Sequence, residues 1–226
     1  MDMIIILLWI LGVSAFSLFG SWYVRKYNKP DALIGLYVSV VLISNIIAYK
    51  VVDYNFGFIS FTASAATIVF AITFLLTDIV NEKFGRKETQ RMIFIAFISQ
   101  IAVTFFIWLA LSLPSSQFFT DNDAFIRILG FAPRIILASW IAFLISENTD
   151  AYIFAWFKKK TNGKQLWMRN AFSSLPSMAL DSIIFVSIAF YGIVPLIPMI
   201  TGVLMIKWIV GLVDIPFMYL NRRVMR

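Results

Sequence analysis

The chain has 226 residues, of which 61% are hydrophobic and 14% charged, with 23 Phe, 7 Trp, 8 Tyr and a formal charge of +7. Soluble domains carry about a quarter charged residues, so too little polar surface exists to cover a globule in water. The absence of Cys and His excludes disulfides, thiol nucleophiles, Cys/His zinc sites and His-based triads, and no glycine-rich phosphate loop is present to drive nucleotide hydrolysis.

In chain order, seven apolar runs predict seven membrane helices: Ile4–Val24, Ala32–Val52, Phe61–Val80, Met92–Leu113, Pro133–Trp156, Ala171–Tyr191 and Pro198–Leu220. Each approaches the roughly 20 residues that a helical span needs. Each is also continuous, whereas a barrel would show alternating segments of about ten residues. The first run follows an acidic Met1-Asp2-Met3 and precedes no A-x-A-like cleavage site, so it reads as a retained span rather than a leader. Between runs two and three, Asp53–Ser60 is short and aromatic and reads either as a lid over a pocket or as a solvated turn. Pro114–Ala132 is the longest connection.

Lys and Arg set the expected orientation. Arg25, Lys26 and Lys29 follow the first run, and Lys83, Arg86, Lys87 and Arg91 the third. Lys158, Lys159, Lys160, Lys164 and Arg169 follow the fifth, and Arg222, Arg223 and Arg226 the last. These are 15 of the 19 basic residues, all on one side. The positive-inside rule then puts the N-terminus outside and the C-terminus in the cytoplasm of a cell (inner) membrane. The basic loops are explained by the lipid bilayer, and no nucleic-acid partner is needed.

Ionisable and amide groups inside spans are costly and are functional candidates by default. Asn170, Ser174, Ser177 and Asp181 share one face of the sixth run, as do Ser139, Ser146 and Asp150 in the fifth, and Thr67 and Asp78 in the third. Lys207 lies in the seventh and Asn45 in the second. At 1.5 Å per residue, Asp181 falls near mid-membrane, with Lys207 and Asn45 roughly 3–5 Å further out. An Asp181–Lys207 ion pair is the structural reading, and a small-molecule site with an amide and aromatics beside it is the functional one. Trp140, Phe172, Phe185 and Trp208 are the aromatic neighbours. Asp78 and Asp150 lie toward the cytoplasmic ends, where they cap helices, bind basic loops or gate the inner mouth. Glu82 and Glu147 read as interfacial and structural. Arg134 snorkels at the outer end of the fifth run or presents its planar fork to a ligand. The Ser, Thr, Ala and Gly positions are also what helix–helix packing uses.

The order of Ser44-Asn45, Thr77-Asp78, Glu82-Lys83-Phe84-Gly85-Arg86, Arg134 with Ala138-Ser139, Asp150, Asn170, Ser174, Asp181-Ser182, and Lys207 with Pro216 resembles the queuosine precursor transporter family, also called the vitamin uptake transporter family. The resemblance covers about Ile34 to Tyr219. It implies import of 7-deazaguanines, chiefly 7-cyano-7-deazaguanine and 7-aminomethyl-7-deazaguanine, for a modified tRNA base. It also implies an all-α polytopic fold with a six-helix core like the substrate-binding subunits of energy-coupling-factor importers. The extra N-terminal span at 4–24 departs from that pattern, within a single membrane domain over 1–226.

A deazaguanine offers N1–H and N2–H₂ donors beside an O6 acceptor. A carboxylate suits the donors, and an amide or cation suits O6. Asp181 is the first choice for the donors, and Asn45, Asn170 or Lys207 for O6. Asp78, Arg134, Ser139, Asp150 and Ser174 complete the expected substrate-binding set. No catalytic step, metal or cofactor is expected. A homodimer and a separate energising module are open partners. The competing readings are a binding subunit of an ATP-driven vitamin importer and a retinal-binding seven-helix protein, the latter lacking an RYxDW-like stretch in span three.

Overall fold

A computed structural model describes residues 3–48, 50–55, 60–130, 133–192 and 195–225, with side chains described except at 3–7, 51, 55, 60, 62 and 133–136. Nearly all of it is helix. In order the elements are α1 (Met3–Tyr27), α2 (Asp31–Ile47), β1 (Val51–Asn55), β2 (Ser60–Ser64), α3 (Ala66–Phe70), α4 (Ile72–Phe84), α5 (Arg86–Ser112), α6 (Asn122–Leu129), α7 (Pro133–Lys160), α8 (Leu166–Phe190) and α9 (Leu196–Met225). Among the described residues α5, α8 and α9 are both long and apolar enough to cross a membrane.

Burial is inverted relative to a soluble protein. Asp78, Glu147, Asp150 and Arg169 are wholly buried, whereas Phe94, Phe106 and Leu11 are more than 60% exposed. A bundle whose interior sets buried polar groups within an apolar core and whose perimeter is apolar satisfies its polar groups internally and offers hydrocarbon to lipid. The chain is an all-α membrane protein.

All seven apolar runs contain helix, but the third begins later than expected. Its first residues, from Phe61, form β2, paired antiparallel with β1 in the register Val52↔Ala63, Asp53↔Thr62, Tyr54↔Phe61. Tyr54 donates its hydroxyl to Ser64 O at 3.0 Å, and Tyr54, Ala63, Val186, Val203 and Ile206 form a small core that docks the hairpin on α8 and α9. Burial there pushes the Tyr54 phenol up to about 12. Tertiary packing has overridden helical continuity. The tip of the expected lid, residues 56–59, lies outside the described residues.

Chain reversals at the basic end are tight. Gly85, at φ 85°, alone separates α4 from α5, a left-handed conformation that glycine adopts without strain. Its N–H closes α4 on Asn81 O and its carbonyl starts α5 by accepting Thr89 N–H. The α7–α8 reversal uses Asn162, Gly163 and Gln165, all at positive φ. The extra span α1 lies against α9, where Asn221 accepts from Ser21 at 2.7 Å and donates to Ser17 at 3.1 Å. At Gly211 a Cβ would meet Met178 Sδ at 3.1 Å, so the missing side chain lets α9 approach α8 closely.

Candidate functional site

The half of the bundle away from the basic loops contains a cavity of about 550 Å³. Leu42, Asn45 and Ile46 of α2 form one wall, Gln100 to Leu111 of α5 the broadest, and Leu137, Ser139 and Trp140 of α7 a third, with Phe185 of α8 also lining it. The cleft is open toward the perimeter, where Phe105, Trp108 and Leu137 are exposed. Its lining is mainly apolar and aromatic, with Phe105, Trp108, Trp140 and Phe185. Four polar side chains line it, of which Thr104 spends its hydroxyl on Gln100 O at 2.8 Å. Asn45 donates to Gln100 Oε1 at 3.1 Å, and Ser139 donates to Asn45 Oδ1 at 3.4 Å. Gln100 is 2% exposed, and its Nε2 donor has no hydrogen-bond partner among the described residues. An apolar pocket with a few convergent polar groups is the usual form of a small-molecule site.

One turn along α8 from Phe185, toward the basic end, Asp181 forms an ion pair with Lys207 of α9 and accepts Ser146 Oγ of α7 at 3.1 Å. Lys207 also sits 5.2 Å from the centre of the Phe70 ring. The pairing that depth counting anticipates is therefore present. Both residues lie outside the cavity lining.

Further toward the basic end, α4, α7 and α8 bring four more candidate residues together. Asn170 donates to Asp78 Oδ2, and Ser174 lies 3.4 Å from the same oxygen. Thr77 Oγ1 is 3.2 Å from Asp150 Oδ2, and Asp78 and Asp150 are neighbours. Glu147, one turn from Asp150, is wholly buried rather than interfacial as its sequence position suggests. Thr73 Oγ1 lies 2.8 Å from its Oε1, and Tyr37 of α2 faces it. It is buried because α4 and α8 pack against α7 and Tyr37 of α2 reaches over this turn.

At the basic end itself Glu82 gathers three cations. Arg169 bonds it through both terminal nitrogens at 2.6 and 3.3 Å, Arg222 Nε lies at 3.2 Å and Lys158 Nζ at 3.5 Å. Burial lowers the Lys158 ammonium from its usual range, against the opposing pull of Glu82. This matches the structural reading of Glu82.

The nine expected substrate-binding residues thus fall into groups. Asn45 and Ser139 reach the cavity, Asp181 and Lys207 pair beside it, and Asp78, Asp150, Asn170 and Ser174 form the deeper cluster. The Arg134 side chain lies outside the described residues. Of the aromatic neighbours, Trp140 and Phe185 line the cavity. Phe172 instead stacks on Phe157 at 5.7 Å, and Trp208 donates to Leu175 O. Gln100 and the α5 wall were not anticipated. The available signal was an amide inside an otherwise apolar run, the same signal that marks Asn45.

A family model described as "Putative vitamin uptake transporter" matches residues 64–221. A Bacillus subtilis (strain 168) protein named "Probable queuosine precursor transporter" is 28% identical over 207 residues, covering 88% of this chain and 89% of its own. A Haemophilus influenzae (strain ATCC 51907 / DSM 11121 / KW20 / Rd) protein of the same name is 27% identical over 132 residues, 58% of this chain and 54% of its own. No solved structure matches.

Proposed function

The chain belongs to the vitamin uptake transporter family, and on that premise we propose that it imports queuosine precursors, 7-deazaguanines such as 7-cyano-7-deazaguanine and 7-aminomethyl-7-deazaguanine, across the cell membrane. The names of its relatives support the substrate class. The observation that carries the assignment is the unpartnered Gln100 amide donor, buried at an aromatic-walled cavity beside Asn45. Gln100 Nε2 donates to the base O6, and Asn45 Oδ1 accepts from its N1–H and N2–H₂ edge. Trp140 and Phe185 flank the ring, and Ser139 orients Asn45. The Asp181–Lys207 pair does not line the cavity and lies one turn of α8 beneath Phe185, as a floor below it. A base lacking the guanine edge is rejected because it leaves these buried groups unpaired.

The concentration of basic residues at one end of the bundle supports a cytoplasmic C-terminus and an outer cavity. The core, from α2 to α9, acts as one membrane domain of the six-helix type used by energy-coupling-factor substrate subunits, with α1 as an addition. Alternating access moves the base past the floor toward the Glu82 end. The test is uptake of labelled 7-cyano-7-deazaguanine by the chain expressed alone in a host without ATP-driven vitamin importers. Saturable uptake is expected. Uptake only on co-expression of an ATP-driven module would reassign the chain as a binding subunit.

A further inference from the structure

Between the cavity and the basic end runs a line of carboxyl groups that the substrate assignment does not use. Ser139 at the cavity and Ser146 are seven residues apart on α7, about 10 Å. Glu147 follows directly, then Asp150 one turn on, with Asp78 of α4 beside it. Among the described residues, groups from four other helices face this line, and Glu82 with its bound Arg169 lies one turn beyond Asp78. Tyr37 comes from α2, Asp78 from α4, Asp181 from α8, and Lys207, paired with Asp181, from α9. Asp214, two turns from Lys207 on α9, is 2% exposed with neither oxygen partnered. Lys207 can balance one carboxylate; Asp78, Glu147 and Asp150 are left over. Uncompensated charge at such positions costs several kcal/mol each, and buried carboxyls in that situation neutralise by binding protons.

The hydroxyl geometry points the same way independently. Thr73 Oγ1 lies 2.6 Å from Phe70 O and 2.8 Å from Glu147 Oε1. Thr77 Oγ1 lies 2.8 Å from Phe74 O and 3.2 Å from Asp150 Oδ2. A hydroxyl has one proton to give. Shared with the carbonyl one turn back, that proton gives each carboxyl less than one full donor, too little to hold several adjacent charges. Asp78 Oδ1 and Asp150 Oδ1, on neighbouring groups, likewise have no donor among the described residues, and one shared proton supplies both. Nor do these groups converge as a metal cage: among the described residues no cluster of three or more metal-ligating side chains forms.

We propose that Glu147, Asp150 and Asp78 form a proton-carrying path that couples import of the base to proton entry. A proton arriving from the cavity side binds Glu147, passes to Asp150 and Asp78, and leaves toward the Asn170 end as the carrier reorients. The coupling rests on the transport reading above, so its test separates the two.

The experiment uses purified protein in liposomes and 7-cyano-7-deazaguanine. Gradient-free exchange of labelled for unlabelled base reports transport alone. Accumulation is then driven by an inward proton gradient at equal sodium, or by an inward sodium gradient at equal pH. The expected result is accumulation under the proton gradient only, up to about tenfold per coupled proton for one pH unit. Glu147→Gln, checked by size-exclusion for folding, exchanges the base but no longer accumulates it, and Glu147→Met serves if Glu147→Gln does not fold. Sodium-driven or gradient-indifferent accumulation, or native accumulation by Glu147→Gln, overturns the coupling while leaving transport intact. If no exchange occurs at all, the transport reading fails. The infrared stretch of neutral carboxyls then decides proton occupancy: a band at neutral pH diminished in Glu147→Gln supports it, and its absence overturns it.

Discussion

The two ends of this bundle treat buried polar groups in opposite ways. At the basic end Glu82 is saturated by Arg169, Arg222 and Lys158, so that α4, α7, α8 and α9 are tied together. At the other end two amides and a serine line an aromatic cavity and leave a buried donor without a partner among the described residues. Buried polar groups are normally hydrogen-bonded, and each exception calls for an explanation. Arg169 Nε at the basic end is also without a partner among the described residues, but it does not line the cavity. The tied end holds a conformation, and the end with the cavity has room for a guest.

The sharpest way to break this contrast is at the latch. Replacing Glu82→Ala leaves Arg169, which is wholly buried, without its counter-charge, and losing one partner of a buried pair costs about 3–5 kcal/mol. Thermal unfolding in detergent is expected to show a marked drop in midpoint; an unchanged midpoint would remove the latch from the account. Asp181→Ala comes next, because the ion pair is shared between fold and function. We expect uptake to vanish and stability to fall by about 2–3 kcal/mol, the slight exposure of Lys207 and its contact with the Phe70 ring softening the loss. Adding Lys207→Met is expected to recover much of the stability and none of the uptake, and recovery of uptake would assign the pair to packing alone.

At the cavity the signature reverses. Gln100→Leu removes an orphaned donor but also the Oε1 that accepts from Asn45, so the two effects offset and stability changes by less than about 1 kcal/mol, while affinity for the base falls about ten- to hundredfold. Equal losses in both measurements would make Gln100 a packing residue. Trp140→Leu is the mildest change. Trp140 also meets Phe97 edge-on at 6.0 Å, and losing one aromatic face costs about 0.5–1.5 kcal/mol of binding, read as a severalfold rise in the half-saturating concentration of uptake. A native concentration dependence would place the ring elsewhere.

The sequence makes the spans legible because length and apolarity are the bilayer's own requirements. It also makes the Asp181–Lys207 pairing legible, since helical rise converts residue number into depth. It conceals β2, because residues 60–64 carry no breaker that separates them from the apolar helix that follows. The partition of Asn45 from Asp78 is equally hidden: which helix neighbours which decides it, and a single sequence records no adjacency. Glu147 misleads for the same reason, its near-terminal position in a long helix being covered by α4, α8 and Tyr37 of α2.

The central claim is that the unsatisfied amide edge of the cavity selects a guanine-type base. Equilibrium binding to the purified protein, followed by quenching of tryptophan fluorescence, tests it by comparing 7-cyano-7-deazaguanine with a 7-deazaadenine on native protein and on Gln100→Leu. The account predicts saturable binding of the guanine type alone, weakened at least tenfold by the substitution. Equal binding of both bases, or undiminished binding by Gln100→Leu, would contradict it.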